Sequence, residues 1–250
     1  MTTQEKNGIT EGVIWKQLLI FFFPILVGSF FQQLYNTVDS VIVGQFVGKE
    51  ALSSVGGSAG QIISLVVGFF TGVSTGATVI ISQYFGAGKK EEIEESLHTA
   101  YAFALVGGLV LGIAGIVFAP QMLLWMNTPE ELIAESVLYV RVYFSGLIFI
   151  FIYNMGAAIL RAVGDSKRPL YYLIVCSVVN IILDLLLILV IPLGVLGAAI
   201  ATLIAQAVSA VLVTVTLMSR TEGIKLCFSQ TRMYTRMLQS ILKIGLPAGF

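Results

Sequence analysis

Two carboxylates stand where an apolar environment should exclude them. Of the 14 acidic residues in the chain, 12 lie in termini, loops or the ends of apolar blocks, whereas Asp39 and Asp184 lie inside such blocks. A charged side chain at the bilayer centre costs at least about 2.5 kcal/mol, so each acid needs a partner or a purpose. Residues three or four apart share a helix face. That spacing puts Tyr35, Asn36 and Asp39 on one polar stripe, extended by Gln32, and pairs Asn180 with Asp184. Two chemistries fit. An oxygen-rich set takes a hard cation such as Na⁺, by the preference that governs calcium and magnesium sites, or one desolvated carboxyl holds a proton. The alternative is a polar network that only ties helices together, with Arg141 neutralising an aspartate. No nucleophile–base pair, phosphate-binding glycine loop or zinc cluster is recognisable in the sequence. An enzyme is therefore not expected, and the only cofactor expected is a coupling ion, Na⁺ or H⁺.

The elements that must position these residues are long apolar helices. Hydrophobic residues make up 57% of the 250 and charged residues only 11%, less than half the roughly 25% of a soluble domain. Mean hydropathy is +0.93. About 20 apolar residues span the hydrocarbon layer as a helix, and six blocks reach that length: Leu18–Val43, Ala51–Tyr84, Leu97–Ala119, Leu132–Ala158, Leu170–Ile191 and Val195–Met218. The expected class is all-α, a polytopic membrane helix bundle whose partner is the lipid bilayer. The second block exceeds one span, which predicts tilt or an extension beyond the membrane. The first 14 residues are polar and the first block is long for a signal peptide. With 14 basic against 14 acidic residues there is no net charge to attract nucleic acid.

Orientation follows from the basic residues. Twelve of the 14 (Lys6, Lys16, Lys89, Lys90, Arg161, Lys167, Arg168, Arg220, Lys225, Arg232, Arg236 and Lys243) fall on the amino-terminal side of the membrane, against Lys49 and the intrahelical Arg141. The positive-inside rule makes that side cytoplasmic, in the plasma membrane. At 1.5 Å per residue Asp184 lies roughly 24 Å beyond Arg168, in the outer half of its span, and Asp39 is at a similar depth. From the far side the fourth block brings Tyr139 and Arg141 to that depth, then Asn154 further in, and the sixth brings Thr202 and Gln206.

Other features read as structure. Gly68, Gly72 and Gly76, like Gly108 and Gly112, recur every four residues, the pattern of close helix contacts. Pro24 permits a bend. Trp15 and Trp125 sit where interfacial aromatics belong. His98 is expected to be solvated at a helix start, and Cys176 and Cys227 to be ordinary thiols.

The chain divides into a six-helix transmembrane lobe over 1–218, a cytoplasmic linker over 219–239 and, over 240–250, the start of a seventh helix. Ile241-Leu-Lys-Ile-Gly-Leu-Pro-Ala-Gly-Phe250 repeats the proline placement of Leu19-Ile-Phe-Phe-Phe-Pro24-Ile-Leu-Val-Gly28 after six crossings, as a parallel repeat would. A fragment of a longer membrane protein is expected, completed by a carboxy-terminal lobe or a second copy.

Specific runs carry a family resemblance: Pro24-Ile-Leu-Val-Gly-Ser-Phe-Phe-Gln-Gln-Leu-Tyr-Asn-Thr-Val-Asp39, Gly48-Lys-Glu-Ala-Leu-Ser-Ser-Val-Gly56, Leu160-Arg-Ala-Val-Gly-Asp-Ser-Lys-Arg-Pro169, Asn180-Ile-Ile-Leu-Asp184 and Gly194-Val-Leu-Gly-Ala-Ala-Ile-Ala-Thr202. They resemble the amino-terminal half of multidrug and toxic compound extrusion (MATE) transporters of the prokaryotic branch. The resemblance implies two six-helix lobes and export of cationic or amphipathic small molecules by alternating access, in exchange for Na⁺ or H⁺. It also implies an amino-terminal ion site at Asp39, Asp184, Asn180, Thr202 and Tyr139, with Na⁺ held by the first four, and Asn154 nearby. Gln32, Tyr35, Asn36, Asn154 and Arg141 are the candidates to line a cavity. The rivals are a lipid-linked saccharide flippase of the same architecture, which calls for a more cationic cavity, and a non-transporting membrane scaffold.

Overall fold

A computed structural model of the protein describes residues 14–219 and 225–249. Lys6 and Arg220 of the expected basic side, and Phe250, lie outside the described residues. Among the described residues the secondary structure is helical throughout: α1 (Ile14–Ile42), α2 (Lys49–Gly56), α3 (Ser58–Gly86), α4 (Lys90–Trp125), α5 (Glu130–Ser145), α6 (Leu147–Ala162), α7 (Lys167–Asp184), α8 (Val195–Met218) and α9 (Thr235–Ala248). Five spans pass the length and hydropathy test singly, and α5 with α6 makes a sixth, bent by 47°. The all-α membrane bundle expected from composition is the architecture found.

Four of the six expected spans depart from single α-helices. The second block breaks at Gly57, where a Cβ would come within 2.5 Å of the Ser53 carbonyl oxygen. Its surplus length is a separate helix, α2, fastened to α5 by the Ser136 hydroxyl donating to the Ser54 carbonyl at 3.2 Å. The fourth block bends at Gly146, whose missing side chain leaves room for Leu203 at 3.1 Å. The fifth block is α-helical only to Asp184 and continues as a π-helical segment, Leu185–Val190; α1 ends the same way, in Val43–Val47. Both spans that carry an intramembrane acid thus change helical pitch within four residues of it.

The bundle is centred on α6, which packs on α3, α4 and α8; α7 joins α8 to α1. Lys89, Lys90, Arg161, Lys167, Arg168 and Lys225 gather at the end where α3, α6 and α8 finish, the basic end. Trp15 and Trp125 are exposed, as interfacial anchors should be, and both cysteines are free thiols. The predicted glycine faces are contact surfaces at four of five positions. Cβ atoms on Gly108 and Gly112 would meet the α5–α6 backbone at 2.7 Å (Ile148 Cα) and 2.9 Å (Phe144 O), and Gly72 and Gly76 lie against the backbone of α9. Gly68 touches nothing within 4 Å and opens on a cavity instead.

His98 departs from expectation. It is 2% exposed, because residues 225–234 fold back over α4. Its Nε2 accepts the Cys227 backbone N–H at 3.1 Å while Nδ1 lies 2.8 Å from the Glu94 carbonyl, which fixes the neutral tautomer with the proton on Nδ1. Tyr234 N–H donates to Thr99 Oγ1 at 3.1 Å one residue further on. Losing one partner of a buried hydrogen bond costs about 1–3 kcal/mol. His98→Leu is therefore expected to loosen the 225–234 segment and speed tryptic cleavage at Lys225 several-fold in membranes. An unchanged digestion rate would mean that the bond holds nothing in place.

Candidate functional site

A cavity of about 870 Å³ opens between α1 and the rest of the bundle. α1 contributes Gln32, Tyr35, Asn36 and Asp39, α5 contributes Tyr139 and Tyr143, α6 contributes Tyr153 and Asn154, and α8 contributes Thr202 and Gln206. Helical periodicity is enough to explain the set, since the residues from each helix are successive or separated by three or four positions. Asn180 and Asp184 do not line this space. Both are 0% exposed and sit behind Asp39, so the acid pair has one member on the wall and one sealed in the bundle. The two carboxyl groups interact directly.

The hydrogen bonds around the pair are one-sided. Oriented to satisfy both of its groups, the Asn180 amide NH₂ donates to Asp184 Oδ2 at 3.0 Å and its oxygen accepts the Thr202 backbone N–H at 3.3 Å. The reverse orientation would turn the amide oxygen toward a carboxylate, so chemistry selects the first. The Tyr35 phenol reaches Thr202 and lies close to Asp39, as do Tyr139 and Tyr143. Of the four buried side-chain oxygens without a hydrogen-bond partner among the described residues, three lie here: Asp39 Oδ1, Asp184 Oδ1 and Gln206 Oε1. Buried polar atoms are nearly always partnered. Three orphans of one kind in one neighbourhood, two of them on facing carboxyls, form a site short of positive charge. A proton between the acids, or a small cation on their oxygens, supplies it; for the Asn180 oxygen to join such a cation, its amide would have to turn over from this orientation.

Arg141 does not supply it, and this corrects the expectation that it lines the cavity or neutralises an aspartate. It is two residues from Tyr139, about 200° round the helix, so when Tyr139 faces inward Arg141 faces outward. Its side chain is exposed and its Nε donates to the Ile116 carbonyl at 3.3 Å. Sequence position sets the height of Arg141 along its helix, but only the angle about the helix axis decides whether it meets the cavity. Tyr143 and Tyr153 join the lining beyond the residues expected from the sequence. The sequence does signal both, Tyr143 four residues beyond Tyr139 on the same face and Tyr153 beside Asn154. The π-helical segments after Asp39 and Asp184 carry no such signal, although local π geometry often accompanies functional sites.

A sequence profile described as MatE matches residues 24–186. The chain belongs to the MatE family. The MatE chain is 32% identical over 257 aligned positions to the probable multidrug resistance protein YoeA of Bacillus subtilis, covering 99% of this chain and 54% of that protein. It is 25% identical to the multidrug export protein MepA of Staphylococcus saprophyticus, covering 99% and 55%. Among solved structures, a multidrug resistance MATE family transporter of the MOP superfamily, in an outward-facing conformation, superposes with a TM-score of 0.90 at 26% identity over 100% of this chain and 55% of that one. The MatE chain thus spans about half the length of the relatives it matches, and its six spans correspond to one lobe.

Proposed function

We propose that this chain is the amino-terminal lobe of an efflux transporter that exports cationic or amphipathic small molecules in exchange for Na⁺ or H⁺ by alternating access. A second six-helix lobe, or a second copy, completes the translocation path. The reading rests on one observation: facing carboxyls of Asp39 and Asp184 with buried acceptor oxygens and no protein cation among the described residues to neutralise them. Such a pair is tolerable at membrane depth when a mobile positive charge shares it. Asp39 faces the space a substrate would use, whereas Asp184 lies behind it against Asp39 and Asn180, so cation binding is coupled to the cavity through Asp39. The π-helical ends of α1 and α7 pack against each other, and they are where a change in charge at the acids would be absorbed. The concentration of basic residues at one end favours a cytoplasmic amino terminus in the plasma membrane. Among the described residues the larger cavity is lined by Asp39 and by no Lys or Arg, and the one arginine of its extension falls short of the two charges of a pyrophosphate-linked saccharide. A scaffold has no use for an unneutralised acid pair.

Coupling is tested with purified protein in vesicles, following ethidium movement while an inward Na⁺ gradient or an inward proton gradient is imposed separately. One gradient is expected to drive export and its collapse to stop it. Ethidium movement indifferent to both would sink the antiport reading.

A further inference from the structure

A second cavity of about 410 Å³ continues from the first toward the basic end. The two share Gln32, Thr71, Thr75, Tyr153, Asn154 and Leu173, so they form one continuous space. Its far wall is the turn between α6 and α7, which presents Arg161, Ser166 and Pro169. The larger cavity has an anionic wall and this extension has a cationic one.

We infer that Arg161 and Ser166 form an anion subsite that takes the carboxylate of a zwitterionic amphiphile whose apolar, cationic body extends into the larger cavity; this rests on the reading of that cavity as the substrate's. Arg161 has no ion pair and no hydrogen bond among the described residues. The acid nearest in sequence, Asp165, is drawn the other way: its Oδ2 lies 3.5 Å from the Arg168 guanidinium and its Oδ1 accepts the Arg168 N–H at 3.2 Å. A cation in the last turn of α6 suits the helix dipole. The dipole does not explain a largely buried guanidinium that lines a cavity beside the neutral Tyr153 phenol and no anion, an arrangement that leaves a buried charge uncompensated until an anion arrives.

Ser166 supplies the independent second observation. It is 6% exposed, forms no hydrogen bond among the described residues and lines the extension. It also precedes α7, so its hydroxyl sits at the positive end of an 18-residue helix. The neighbouring hydroxyls are not competing donors: Thr71, Thr75, Thr78 and Ser29 give their protons to backbone carbonyls four residues back. Arg161 is therefore the one cation of this wall and Ser166 its one uncommitted hydroxyl, the amides of Gln32 and Asn154 lying at the junction with the larger cavity, and a planar guanidinium matches a carboxylate in two parallel bonds. Arg161 stands seven residues from Asn154 on α6, roughly 10 Å along the axis, so a ligand with a ring system of that length reaches the larger cavity while its carboxylate stays at Arg161.

Rhodamine B and its ethyl ester test this, since they differ only in whether the pendant carboxylate is free. Binding of each dye to the purified protein in lipid nanodiscs is read by fluorescence anisotropy. Arg161→Gln is expected to weaken rhodamine B roughly tenfold or more and the ester less than twofold, a charge-assisted bond being the strong kind. Arg161→Lys should recover part of the loss, and Ser166→Ala should weaken rhodamine B alone by a few-fold. Equal loss for both dyes would reduce Arg161 to shaping the helix end and overturn the subsite, as would no loss for either. Failure of both dyes to bind the unsubstituted protein would overturn the cavity reading itself, before any substitution is made.

Discussion

Asp184→Asn is expected to cut gradient-driven export by roughly 100-fold, toward the top of the range that a coupling free energy between two sites spans, while leaving the folded protein as stable as before or more so. The two halves of this expectation come from the same geometry. Asp184 is 0% exposed and its Oδ2 accepts from Asn180 at 3.0 Å; an Asn side chain is isosteric and can turn its own oxygen to that donor, so the packing survives. What disappears is one of two like charges held together in a medium of low dielectric, and removing it relieves repulsion rather than breaking a pair. The same removal takes away the charge that makes a cation prefer one conformation. A ligand that no longer distinguishes two states cannot shift their populations, however steep its gradient. The measurement is ethidium export from vesicles at matched protein content, alongside thermal unfolding of the same preparation. Export at the unsubstituted rate would remove Asp184 from the mechanism. A large drop in melting temperature would instead return it to the polar-network alternative, as a residue that holds helices together.

The acids were legible because hydropathy is a one-dimensional property: Asp39 and Asp184 stand out against apolar neighbours in any window. Their partners Asn180 and Tyr35 followed from helical spacing, and Thr202 from depth. Arg141 was misplaced because depth alone places a residue on a ring around the axis, and only its angle relative to Tyr139 says which side of the bundle it meets. The burial of His98 is hidden from the sequence for a different reason. Its neighbours Glu94 and Glu95 are polar, and the segment that buries it comes from 129 residues away, where no local pattern points back to α4. The breaks at Gly57 and Gly146 were missed because both blocks stay apolar through them, so hydropathy continues where the helix does not. The separation of Asp39 on the cavity wall from Asp184 behind it depends on how α1 leans on α7, a tertiary quantity that neither helix encodes alone.

The second large effect concerns how α9 is held. In lipid, two helices gain no hydrophobic advantage from meeting, and close backbone contact through small residues takes its place. α3 and α9 meet through Gly72 and Gly76 on one side and Gly245 and Gly249 on the other. Gly76→Ala is expected to break this crossing. Its new Cβ would lie 2.7 Å from the Gly245 nitrogen and 2.9 Å from the Gly245 Cα, and nearer still to the Ile241 carbonyl oxygen. All three are backbone atoms, which no rotamer change can move aside. Overpacking of this kind costs about 1–3 kcal/mol even where side chains can yield, so a loss at or above the top of that range is expected, read as a fall of several degrees in melting temperature in detergent. Gly68→Ala is the matched comparison: the same helix and stripe, two turns away, with nothing within 4 Å of the new methyl. Alanine there is expected to be neutral or to stabilise by about 0.5–1 kcal/mol, the ordinary helix preference over glycine. Because Ala248 and Gly249 also line the larger cavity, displacing α9 should open that wall as well, and ethidium binding should weaken for Gly76→Ala. If the two alanines melt alike, the α3–α9 contact is not what holds the seventh helix against the lobe.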